Sequence, residues 1–212
     1  MGLTTSWAGD GRNPGLVTAI ARAQEAATGA STVVLVEGVS DQAALETLAA
    51  RRGRDLADAG VAIVAMGGAT NLGHFLTLFG SAGLGLRLAG LCDEAEEDGF
   101  RRGLERAGLG VGLERAGLER LGFFVCEADL EDEMIRALGV PAVEHVAEAE
   151  GELRSLRTLR RQPAHRDTPP QELLRRFIST RSGRKARYGR LLAQTVDLAQ
   201  VPRPLDRLLN HL

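Results

Sequence analysis

Lysine is nearly missing from this 212-residue chain: Lys185 stands alone among 26 basic residues, the rest arginine. A GC-rich coding sequence drives lysine towards arginine. A lysine that remains is a candidate for work needing a compact ammonium head, which a planar guanidinium does not reproduce. Because that lysine lies in the C-terminal part, no Gly-x-x-x-x-Gly-Lys-[Ser/Thr] phosphate loop exists, which excludes an ATPase of that type. Cysteine is also scarce. Cys92 and Cys126 fall at predicted strand ends and read as buried free thiols rather than a disulfide framework. The histidines, His74, His145, His165 and His211, lack zinc-ligand spacing. No apolar run nears the ~18 residues that a membrane span needs. A basic stretch followed by a hydrophobic one is lacking at the N-terminus, so the expected location is cytoplasmic. Met1-Gly2-Leu3-Thr4-Thr5-Ser6 fits an acylation pattern, but with no second membrane signal it is read as chance.

What is present is a chain with 44% apolar residues, enough for a real core in one domain or one domain with an appendage. Net charge is only −2 but unevenly placed. Residues 93–150 hold 16 acids against 6 bases, and residues 154–190 hold 12 bases against 2 acids. Such a chain suits a site for cations beside a surface for phosphates. Basic helices packed across an acidic face would give the same balance.

Short β-branched or apolar runs over residues 32–37, 61–66, 86–92 and 122–126 predict four strands. Helical patterns fall between them, at 16–27, 41–52, 72–79, 95–107 and 113–120, then at 131–138 and 143–149. The alternation predicts an α/β fold with a parallel sheet covered on both faces. Beyond residue 151 the pattern is helical only, with helices expected at 172–178, 183–196 and 204–212. The predicted organisation is an N-terminal segment with one helix (1–30), the α/β domain (31–151) and a basic helical extension packed on it (152–212).

Two strands end abruptly in carboxylates. Val33-Val34-Leu35-Val36 runs into Glu37-Gly38-Val39-Ser40-Asp41, and Leu88-Ala89-Gly90-Leu91-Cys92 runs into Asp93-Glu94-Ala95-Glu96-Glu97. Parallel strands share one carboxyl edge, so acids that close two of them meet there. Clustered carboxylates at that edge suit a hard cation such as magnesium or manganese. An acid after a strand also serves as a helix cap, and Glu131-Asp132-Glu133 also serves as an acidic first helical turn. Gly67-Gly68-Ala69-Thr70-Asn71 joins the second strand to a helix and offers backbone amides to a phosphate, or is simply a tight turn. Arg181, Arg184, Arg187 and Arg190 repeat at a spacing that puts them roughly on one helical face, as a phosphate track or a solvated surface.

Residues 33–41, Asp93 with its following acids, and Asp129-Leu130-Glu131-Asp132-Glu133 resemble a Toprim domain, which carries a glutamate after its first strand and an Asp-x-Asp motif after its third. Arg181-Ser182-Gly183-Arg184-Lys185 widens the likeness to the C-terminal Toprim region of OLD-family nucleases, here without the usual ATPase domain. The resemblance implies a Toprim-like, Rossmann-type sheet of about four strands with a C-terminal helical extension. It implies cleavage of DNA with two Mg2+ or Mn2+ ions, a separate ATPase as partner, and leaves a homodimer open. Glu37, Asp41, Asp93, Glu96 and Glu131 would hold metal, Glu37 doubling as general base. Lys185 would neutralise phosphate charge, and Arg181, Arg184 and Arg187 would hold nucleic acid. One departure is Ala95, where the motif's second aspartate would stand; Glu94, Glu96 or Glu97 would have to replace it. Without a replacement the chain would be a silent Toprim module that binds nucleic acid or a protein. Phosphoryl transfer through Asp93 as nucleophile lacks supporting motifs after the later strands. A topoisomerase would need a nucleophilic tyrosine in a larger assembly, and the only tyrosine is Tyr188.

Overall fold

The computed structural model describes residues 14–181 and 183–212. The expected loose start and the acylation pattern lie outside the described residues. Four strands form one sheet: β1 (Thr32–Val36), β2 (Val61–Ala65), β3 (Arg87–Asp93) and β4 (Phe123–Cys126). All neighbours are parallel, in the order β2-β1-β3-β4. The chain leaves β1 for β2 on one side, then crosses β1 to place β3 on the other. The switch point of the sheet therefore lies between the carboxyl ends of β1 and β3, where open α/β sheets bind ligands.

Successive side chains alternate between two cores, as strand geometry requires. Val33, Leu35, Ala62, Val64, Cys92, Phe123 and Val125 enter one cluster. It is covered by α1 (Pro14–Ala26), α3 (Leu72–Phe79), α4 (Glu97–Arg106) and α5 (Arg115–Arg120). Val34, Val36, Val61, Ile63, Ala89, Leu91, Phe124 and Cys126 enter the other. That face is covered by α2 (Val39–Arg51), α6 (Leu130–Leu138), α7 (Val140–Ala149), α8 (Leu153–Arg160), α9 (Pro170–Ser179), α10 (Arg184–Thr195) and α11 (Arg203–His211). Cys92 and Cys126 are buried free thiols, and burial pushes both above the usual thiol range. No helix among the described residues is long and apolar enough to cross a membrane.

The helix α8 was not among the sequence expectations. Leu153, Leu156 and Leu159 recur at helical spacing, but four arginines at 154, 157, 160 and 161 leave little apolar face to mark where a helix begins and ends. Only Leu156 is buried, so the apolar stripe is one residue wide at its centre. The helices after residue 151 share one hydrophobic cluster with the sheet. Tyr188, Leu205, Leu208 and Leu209 are all fully buried in it.

The crossing of α10 over α2 fixes the position of the only lysine. A Cβ at Gly189 of α10 would lie 2.6 Å from the carbonyl oxygen of Ser40, so only glycine allows α10 to lie this close to the first turn of α2. Arg51 locks the far ends together, donating to the carbonyls of Ala193 and Val196 at 2.7 and 2.6 Å. Lys185, one turn before Gly189, is thereby held beside Asp41.

Candidate metal centre

Glu37 follows β1 directly, Asp41 lies in the first turn of α2, and Asp93 is the last residue of β3. With Lys185 they line one open cleft of about 900 Å³ at the carboxyl edge of the sheet. Thr18 and Arg22 of α1 form its opposite wall. No motif marked Arg22 in the sequence; only the packing of α1 beside β2 brings it there.

The backbone under these groups is tightly tied. Gly38 N–H donates to Asp41 Oδ2 at 2.8 Å, so one oxygen of this aspartate closes the turn after β1. The amides of Gly67 and Gly68 donate to the Glu37 carbonyl at 3.0 and 3.1 Å. Of the two readings of this turn, the tight turn is the one found: the two glycine amides are spent on holding Glu37. Positive φ angles of 72° and 127° are what the turn needs glycine for.

Charge and burial act together here. Burial raises Asp41 to about 6, with Glu37 adding to the shift and the Gly38 amide and Lys185 opposing it. Asp93 rises to about 7, first through burial and then through repulsion from Asp41, Glu37 and Asp129. Crowded anions that resist ionisation are relieved by a cation.

The acidic first turn of α6 divides by direction. Asp129 caps the helix, accepting from Asp132 N–H at 2.8 Å, and its other oxygen pairs with Arg175 at 2.6 Å. Asp132 and Glu133 pair with Arg136. Glu133 is buried as well, at 6% exposed, but it is Glu131, 1% exposed, that meets Lys185. Lys185 Nζ stands 3.1 Å from Glu131 Oε2, a charge contact, and neither carboxylate oxygen gains an aligned hydrogen bond. Burial lifts Glu131 to about 7 against the pull of Lys185. Burial alone would lower Lys185, but Glu131, Asp41 and Asp129 outweigh it and hold the ammonium above its usual value.

Downstream of Asp93 the acids also separate. Arg115 pairs with Glu97 and, at 3.7 Å, with Glu94. Ala95 is exposed on the short 3-10 turn of residues 94–96. Glu96 is the one of the three not taken by Arg115, but it does not line the cleft. Among the described residues no three His, Cys, Asp or Glu side chains already converge as a metal cage. The donor set nonetheless fits a hard cation: oxygen ligands, mutual repulsion, and a buried Glu131 whose Oε1 has no partner among the described residues.

The expected arginine track is not one surface. Arg184 is 3% exposed, donates to the Phe177 carbonyl at 2.8 Å and to Glu152 at 3.1 Å, and stacks on the Phe177 ring. It faces the protein because its position on α10 looks towards α9. Arg187 pairs with Glu152 at 2.8 Å and with Glu150 at 3.6 Å. Arg181 is exposed and lies on a different cavity.

Residues 30–94 match the family described as Overcoming lysogenization defect protein-like, TOPRIM domain. Over that segment the chain resembles an OLD-like Toprim domain. Its likeness to OLD proteins extends well past that segment. The C-terminal region of the Xanthomonas campestris pv. campestris OLD protein, in crystals phased with platinum, superposes with a TM-score of 0.67 at 28% identity. That match covers 86% of this chain and 91% of the other. The C-terminal region of the Burkholderia pseudomallei OLD protein gives a TM-score of 0.63 at 22% identity, covering 86% of this chain and 96% of that one. No curated protein matches the chain. The expected α/β sheet with its C-terminal helices is thus the fold of the OLD Toprim region.

Proposed function

We propose that the chain is a divalent-metal-dependent phosphodiesterase acting on DNA, in the manner of an OLD-like Toprim nuclease. The observation that carries this reading is the meeting of Glu37, Asp41, Asp93 and Lys185 in one cleft at the switch point of the sheet. Magnesium or manganese ions, when bound, supply charge neutralisation at the phosphoryl oxygens. Asp93 and the free oxygen of Asp41 would hold them, with Glu37 and Glu96 turning in from either side. Glu37 takes the proton of the attacking water. Lys185 meets the negative charge that grows on the phosphate in the transition state. Glu131 lies behind that ammonium, keeps it charged and fixes its direction. Arg22 stands across the cleft as a guide for an incoming phosphate.

An ATPase would work with this unit, because OLD proteins usually carry an ATPase domain before the Toprim region. The second reading is a Toprim module that binds without cutting. Ala95 in place of an aspartate, with Glu94 and Glu97 held by Arg115, favours it. Supercoiled plasmid incubated with Mg2+, Mn2+ or chelator separates the two. Metal-dependent nicking that disappears in Glu37→Ala supports the nuclease. No nicking with any metal, in a folded protein that still takes up the ion, overturns it in favour of the silent module.

A further inference from the structure

A second cavity, of about 730 Å³, opens between α8, α9 and α10. It shares no lining residue with the carboxylate cleft. The first turn of α10 separates the two: Lys185 faces the acids, and Arg184 beside it faces this cavity. Among the described residues no carboxylate lines it. Arg154, Arg176 and Arg181 do, all exposed and with no ion-pair partner among the described residues. Neighbouring arginines behave differently. Arg160 is paired with Glu144, Arg175 with Asp129 and Arg187 with Glu152. Convergent like charges repel, so an unpaired group of them around a hollow is a standing deficit of anion.

Two buried groups point the same way. His165, held on the 3-10 turn Pro163–His165, is 7% exposed, lines the cavity, and its ring makes no hydrogen bond among the described residues. Its ring nitrogens are not sealed from solvent, so they open onto the cavity and can meet a ligand there. Arg184 forms the floor, clamped over Phe177 at 4.0 Å, and its Nε has no partner among the described residues. The acid beside it, Glu152, has its oxygens occupied by Arg184, Tyr188 and Arg187.

We propose that this cavity binds a phosphate group of a nucleotide unit. Guanidinium groups arranged around a concave site match the oxygens of phosphate, and an imidazole N–H adds a directional donor. Phe177 is buried beneath Arg184, so no ring is offered for stacking and the phosphate rather than the base is recognised. The site does not depend on the metal chemistry of the carboxylate cleft.

The test uses the full chain in EDTA, where cutting is suspended. Anisotropy reports binding of a labelled 5′-phosphorylated single-stranded oligonucleotide to wild type, Arg154→Gln/Arg176→Gln, His165→Gln and Arg102→Gln, an exposed arginine that lines neither cavity. Affinity should fall at least about tenfold in the double arginine variant, and the dependence of log Kd on log salt should flatten by roughly 0.7, the change for one phosphate that is no longer neutralised. His165→Gln should also weaken binding, and Arg102→Gln should not. Competition by free pyrophosphate would assign the site to a terminal or free phosphate; competition only by unlabelled strand would assign it to the backbone. Unchanged affinity in the double arginine variant overturns the proposal, as does the absence of binding to wild type. Both arginines are exposed, so that variant keeps the fold if His165→Gln does not. Absence of metal-dependent nicking by wild type, with this binding intact, would count against the nuclease reading alone.

Discussion

At the residue scale, Asp41, Asp93 and Glu131 share one physical situation. Each is pushed upward by burial, to about 6, about 7 and about 7. Their folded values lie above those of the unfolded chain, so in metal-free protein the native state binds protons that the unfolded state has released. Stability from these groups is therefore present at low pH and lost as pH rises from about 4 to about 7. In EDTA the thermal midpoint should drop between pH 5 and pH 8, and Asp93→Asn should shrink that drop. Addition of Mn2+ at pH 8 should restore it in wild type. An equal drop in wild type and Asp93→Asn would mean that other groups set the trend. Lys185 makes a second expectation at this scale. Lys185→Met should lower turnover more than Mn2+ affinity, because the ammonium serves the phosphate and not the ion. Equal loss of both in a kinetic and calorimetric comparison would make it a structural residue.

At the scale of elements, the close crossing of α10 over the first turn of α2 decides where that lysine sits. Gly189→Ala would put a methyl group 2.6 Å from the Ser40 carbonyl. Overpacking of this kind costs about 1–3 kcal/mol. A lower denaturant midpoint together with impaired nicking is the expected result, although no ligand is removed. Full stability with full activity would show that the two helices slide freely. Elements were also where sequence reading was strongest and weakest. The four strands and the helix at Leu72–Phe79 were legible because apolar runs bounded by glycine and acids leave little choice of period. Glu37, Asp41 and Asp93 were legible for the same reason: each marks a strand or its following turn. Glu131 could not be told from Asp132 and Glu133, since any acid in a first turn suits the helix dipole. Only its burial against Lys185 separates it. Arg184 was misplaced because i, i+3 spacing says which residues share a face and not which face is outside. The two readings of the Gly67-Gly68 turn could not be separated in the sequence because the amides' partner, the Glu37 carbonyl, is about thirty residues away along the chain.

At the scale of the whole molecule, the charge asymmetry resolves into both of its readings. Part of it is self-neutralisation, as in Arg175 with Asp129 and Arg160 with Glu144. The remainder is directed to two hollows of opposite sign on either side of the α10 N-terminus. The helices after residue 151 close one face of the sheet, and Tyr188, Leu192, Leu205, Leu208 and Leu209 belong to its hydrophobic cluster. Exposing five such side chains costs about 1.5–3 kcal/mol each, which approaches the whole stability of a domain. A chain ending at Gly151 should therefore show no cooperative thermal transition by circular dichroism. A sharp transition would show that the first 151 residues fold independently.

The central claim is that strand-end acids from β1, α2 and β3 form one site for a divalent cation. Calorimetric titration of Mn2+ into wild type and Asp93→Asn at pH 7.5 tests it most directly. Saturable binding by wild type, weakened at least about tenfold by Asp93→Asn with the fold intact, is the predicted result. Equal affinity in the two proteins, or none in wild type, would contradict it.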